Sequence, residues 1–73
     1  MTVETRHWRA IVVNGAPVAT GAVNLGELVI ELGFADARVA TALNGDFVPG
    51  RVRGSTLIQH GDTIEIVSAR HGG

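Results

Sequence analysis

Apolar residues along this chain keep two different periods. Between Asn24 and Gly33 they fall at Leu25, Leu28, Val29 and Leu32, spaced i, i+3, i+4 and i+7, which places all four on one face of a helix. Asn24 stands at the N-cap position, Glu27 three residues on makes something like a capping box, and Gly33 offers a left-handed exit. Burying four such side chains is worth roughly 1.5–3 kcal/mol each before chain entropy is subtracted, so this face is the expected main anchor of the core. Gly26 weakens the first turn slightly, and nothing in the sequence accounts for it.

Elsewhere the runs are short, β-branched or alternating. His7 to Val13 (HWRAIVV) predicts a first strand and residues 16–20 (APVAT) its return, joined by Asn14-Gly15, because both turn positions need the positive φ that these two residues tolerate best. Pro17 cannot donate to a ladder and so belongs on a sheet edge. After a loop around Phe34-Ala35-Asp36-Ala37, residues 39–44 (VATALN) predict a third strand. A second Asn-Gly, Asn44-Gly45, turns it into a short run, Phe47-Val48, that Pro49 ends. Residues 50–60 are expected to be irregular, with one short helical turn near Ser55-Thr56-Leu57. Gly61-Asp62 then leads into a last strand from Thr63 to Val67, with Ile64 and Ile66 pointing one way and Thr63, Glu65 and Val67 the other. Residues 1–6 (MTVETR) carry no period and read as a loose leader.

The expected order is strand, strand, helix, strand, short strand, strand. The helical crossover lets a later strand run parallel to the first, and one sheet with one helix across a face is the simplest way to bury the leucine stripe. The fold class is α+β, a roll, in a single domain over residues 1–73. If the last strand lies in the middle of the sheet, everything after it projects from the body. A hydrophobic fraction of 45% against 18% charged residues fits a compact globule over disorder. The formal net charge of -1 gives no electrostatic reason to expect nucleic acid or an anionic membrane as partner. No long apolar run or signal-peptide pattern is present, which makes the cytoplasm the default expectation. With no cysteine, disulfides and thiolate chemistry are excluded.

Side chains suited to catalysis are sparse. His7, His60 and His71 lack metal-ligand spacing, so no metal site is expected. Asp46 and Asp62 follow glycines in turns, where local hydrogen bonding is the simpler reading, and Ser55 and Ser68 lack a nucleophile elbow. Glycines 50 and 54 do not have a phosphate-loop spacing. What remains is the end, Arg70-His71-Gly72-Gly73. Two glycines at a given pair of positions occur by chance on the order of once in two hundred. Lacking Cβ atoms they can enter a narrow channel, and the carboxylate beyond them becomes reactive once ATP adenylates it in a partner's active site; a sulfur nucleophile could then displace AMP and leave a thiocarboxylate.

The stretches VATALNGDFVP and TLIQHGDTIEIVSARHGG, with VNG at 13–15 and LGELVIELG at 25–33, resemble the ThiS family, the small sulfur carriers of bacterial thiamine biosynthesis. The likeness spans about residues 9–73. It implies a ubiquitin-like β-grasp fold of about five strands in order 2-1-5-3-4 with one main helix. It further implies that Gly73 is adenylated by a ThiF-type enzyme, with a cysteine desulfurase system as sulfur source. The thiocarboxylate would then serve a ThiG-type thiazole synthase. On this reading the chain is no enzyme: it binds no cofactor, leaves ATP to its activating partner and is a monomer by itself. The tail from 69 to 73 is its working part, with Gly72, His71 and Arg70 threading into the partner and Val67, Phe47 and Arg51 as a possible partner surface. Two alternatives stand beside it. The small subunit of molybdopterin synthase looks alike and uses the same Gly-Gly chemistry, and a ubiquitin-like protein modifier or a plain binding module would use the same shape.

Overall fold

The computed structural model describes residues 8–34 and 38–68; the expected leader 1–6, His7, the loop residues 35–37 and the end from 69 to 73 lie outside them. Strands β1 (Arg9–Val13) and β2 (Ala16–Thr20) form a first hairpin, followed by helix α1 (Leu25–Glu31). A second hairpin joins β3 (Val39–Leu43) and β4 (Asp46–Val48); a 3-10 turn over Gly50–Ser55 then leads toward β5 (Thr63–Ser68). The sheet runs β2-β1-β5-β3-β4, so the last strand is central, parallel to β1 and antiparallel to β3. This is the order implied by the family resemblance.

Both hairpins turn as the Asn-Gly pairs predict. Asn14 and Gly15 have φ of 51° and 85°, and Asn44 and Gly45 have φ of 52° and 91°, left-handed at all four positions. β2 is the edge strand, with Pro17 opposite Val12. Val12 gives its own N–H to the Asp62 carbonyl on the other side (3.0 Å), so the Val12–Pro17 pair exchanges no ladder bonds and the proline nitrogen faces the free edge.

Helix α1 buries Leu25, Leu28 and Val29, while Leu32, at the C-cap, is half-buried against the core. The Asn24 side chain accepts from Glu27 N–H (2.8 Å), and Glu27 Oε1 accepts from Val23 N–H (3.0 Å), one residue earlier than in a strict capping box. At the other end Gly33 N–H bonds the Ile30 carbonyl and Phe34 N–H the Val29 carbonyl, with Gly33 at φ 93°, a Schellman termination. Ile11, Val13, Val48, Ile64 and Ile66 from the sheet, together with Ala22 and Ile58, complete the core under the helix. Gly26 now has a reason. A Cβ there would lie 3.2 Å from Asn24 Oδ1 and 3.4 Å from both Cα and N of Gly54, because the first helical turn rests on the backbone of the 3-10 segment.

The helical turn expected at residues 55–57 sits five residues earlier, at Gly50–Ser55. Pro49 starts it with φ −62°, and its end is tied by Ser55 and Thr56 hydroxyls that both donate to the Val52 carbonyl. Residues 56–58 cannot join it because they are extended and pair with the strand-like approach to α1: Leu25 N–H bonds Thr56 O (2.9 Å) and Ile58 N–H bonds Val23 O (3.0 Å). Arg53 pins the turn to the sheet, its Nε donating to Thr41 Oγ1 (2.9 Å) and Nη2 to the Val39 carbonyl (2.6 Å).

Candidate functional site

The candidate site begins where β5 ends. Arg70, His71, Gly72 and Gly73 lie outside the described residues; Ser68 is the last described position before them. In β5 the alternation holds as expected: Ile64 and Ile66 are buried, and Thr63, Glu65 and Val67 are exposed on the face away from the helix. The strand is fixed on both flanks, by five registered pairs with β3 and by Val12 and Val13 of β1.

Two asparagine side chains extend that grip, a role the sequence reading missed because it weighed these residues only as turn formers. Asn44 accepts from Thr63 N–H (2.8 Å) and donates to Asp62 Oδ1 (3.0 Å) at the start of β5. Asn14 accepts from Ile66 N–H (2.9 Å) and donates to the Ile66 carbonyl (3.0 Å) nearer its end. The backbone N–H of Asn44 bonds Thr63 O and that of Asn14 bonds Ile64 O.

The exposed sheet face carries two of the three expected surface residues. Val67 is 62% exposed and Phe47 69%, and each stands opposite an alanine of β3, Ala40 and Ala42 respectively. Small residues in the strand between them leave both bulky side chains standing above the sheet, with Glu65 beside them across from Ala42. Arg51 is exposed but lies off the sheet, on the 3-10 turn.

Of the polar groups weighed for chemistry, His60, Asp62 and Ser55 make local structural bonds. His60 Nδ1 accepts from Ala10 N–H (3.2 Å) and Asp62 Oδ2 accepts from Gln59 N–H (2.8 Å); separately, Glu31 at the end of α1 accepts from the fully buried Thr20 hydroxyl (2.8 Å). Among the described residues no group of three or more His, Cys, Asp or Glu could hold a metal ion, and no helix is long and apolar enough to cross a membrane. A groove of about 470 Å³, open to solvent, runs between Trp8, Arg9, Val23, Leu57 and His60. Because β1 and β5 are parallel, this groove at the start of β1 lies at the opposite end of the sheet from Ser68.

A family model described as "ThiS family" matches residues 9–73. The crystal structure of a thiamine biosynthesis protein (ThiS) from Geobacter metallireducens is similar at a TM-score of 0.74 and 32% sequence identity, over 88% of this chain and 99% of that one. No curated protein matches the chain.

Proposed function

The chain belongs to the ThiS family, and on that premise we propose that it carries sulfur for thiamine biosynthesis on the carboxylate of Gly73. The observation that carries the reading is the extent of the family match, which starts at Arg9 and runs through the Gly72-Gly73 pair. The chemistry takes place in partner active sites. The Gly73 carboxylate attacks the α-phosphate of ATP with release of pyrophosphate; the terminal sulfur of a donor persulfide adds to the resulting acyl adenylate and AMP leaves, and a second thiol then attacks the donor sulfur of the acyl disulfide, leaving the donor as a disulfide and Gly73 as the thiocarboxylate. This carrier contributes the substrate end and a shape to be recognised. Arg70, His71 and the two glycines form the segment that threads into the activating enzyme, and the absence of Cβ atoms at the last two positions is what a narrow channel would select.

Docking of partners falls on the exposed sheet face. Val67 and Phe47 present apolar surface beside the strand that leads to the tail, with Arg51 as a further contact on the 3-10 turn. An adenylating enzyme, a sulfur-donating desulfurase system and a thiazole synthase are the partners this reading requires; ATP belongs to the first of them. The direct test is the intact mass of the protein taken from its native host. Replacement of one oxygen by sulfur, mapped to Gly73, is the expected result. A protein whose mass stays that of the free acid while thiazole synthesis is active would overturn the proposal, as would isopeptide-linked conjugates in its place.

A further inference from the structure

We infer that the Asn14 side chain stands in for a missing strand residue and thereby sets the line along which β5 delivers the C-terminal segment; the functional half of this inference rests on the carrier reading above. The parallel pairing of β1 with β5 covers only Val12 with Thr63 and Val13 with Ile64, because β1 leaves the sheet at the Asn14-Gly15 turn. Peptide groups in a strand face alternate neighbours, so Ile66, two residues beyond Ile64, directs its N–H and C=O to the side that β1 has just vacated. Ile66 is 4% exposed, and an unpaired backbone pair there would be costly. The Asn14 carboxamide sets an N–H donor beside a carbonyl acceptor, the complement of that pair, and bonds Ile66 through both at 3.0 and 2.9 Å across 52 positions of sequence. The ladder on this side of β5 is thus carried one step further, to within two residues of Ser68.

Asn44 supplies an internal comparison. It forms the same kind of turn, with nearly the same φ, and its side-chain oxygen also accepts a β5 backbone N–H, but at Thr63, the end remote from the tail, while its amide donates to the Asp62 carboxylate instead of a strand carbonyl. Loss of either clamp weakens the fold. Only loss of the Asn14 clamp frees the part of β5 that precedes the threaded segment, so Asn14 is a positioning residue for activation and Asn44 is not.

The experiment pairs Asn14→Gly with Asn44→Gly, since glycine keeps the left-handed turn and removes only the side-chain bonds. Amide hydrogen exchange is read first, on the isolated proteins well below their melting temperatures. Asn14→Gly should speed exchange at Ile66 roughly tenfold relative to wild type, and Asn44→Gly should leave Ile66 unchanged while speeding Thr63. Steady-state adenylation is read second, with the ThiF-type partner and ATP. Asn14→Gly should raise KM for the carrier roughly fivefold or more at unchanged kcat, because the loosened strand end must be ordered on docking, while Asn44→Gly keeps the wild-type KM. Unchanged Ile66 exchange in Asn14→Gly overturns the clamp, and an equal rise in KM for both variants overturns the positioning role by reducing it to general stability. A wild-type protein that is never adenylated refutes the carrier reading and with it the positioning role, and the exchange data alone then decide the clamp.

Discussion

Thr41 is 1% exposed on the inner face of β3, and its hydroxyl joins two elements: it donates to the Val48 carbonyl (2.8 Å) and accepts from Arg53 Nε (2.9 Å). Thr41→Val keeps the shape and the β-branch while removing both bonds. The bond to the carbonyl is worth about 1 kcal/mol and the one from the guanidinium about 1.5–3 kcal/mol, against roughly 0.8 kcal/mol gained by burying a methyl in place of the hydroxyl. Arg53 is only half-buried and keeps its bond to the Val39 carbonyl, so water can take over part of what Nε loses. The lower part of the range is therefore expected, a loss of about 2 kcal/mol. For a domain of this size, whose total stability is roughly 4–11 kcal/mol, that lowers the melting temperature by roughly 8–16 °C. Urea unfolding followed by circular dichroism gives the free energy, and Thr41→Ser, which keeps the hydroxyl, should cost about half as much. A double-mutant cycle with Arg53→Met separates the shared bond from the rest and should show coupling above about 0.5 kcal/mol. If Thr41→Val unfolds within about 0.5 kcal/mol of wild type, or the cycle shows no coupling, the hydroxyl is not the joint between β3 and the 3-10 turn.

Gly26→Ala should destabilise by about 1 kcal/mol in the same urea assay, because crowding of the Asn24 cap and of the Gly54 backbone outweighs the helix-propensity gain of about 1 kcal/mol; a rise in stability would contradict the contact distances. One alanine appended after Gly73 should leave the melting curve unchanged and abolish restoration of thiamine synthesis in a strain lacking the carrier; restoration by the untrimmed longer chain would count against the tail reading. Phe47→Ala combined with Val67→Ala should change stability by no more than about 0.5 kcal/mol per site and weaken binding of the adenylating enzyme in calorimetry, and undiminished binding would remove this face as the docking surface.

Local signals in the chain were legible wherever a single residue type answers a local demand. The Asn-Gly pairs specify left-handed φ, the Leu25/Leu28/Val29 stripe specifies a buried helix face, Pro17 specifies an edge, and the Ile64/Ile66 alternation specifies the inward side of β5. What was not legible depends on partners far along the chain. Gly26 is explained by Gly54, which only the folded 3-10 segment brings to it, and the position of that segment is decided by residues 56–58 pairing with the approach to α1. Asn14 looked like a turn former because its second duty, at Ile66, crosses the whole fold. Of the candidate site, the outward facing of Val67 followed from strand parity, whereas the exposure of Phe47 and the alanines that set both in relief became apparent only once β3 was placed between their strands.

The proline of the outer strand has a consequence for life at high concentration. Among the described residues, the two edge strands of this sheet are β2 and β4. Along β2 the donors that would greet an incoming strand from another molecule belong to residues 17 and 19, and the first of these is a proline with none to give. Along β4 the border is three residues long and closes at Pro49. Another copy of the protein thus finds little purchase for stacking edge to edge, even though one sheet face carries the exposed Phe47 and Val67.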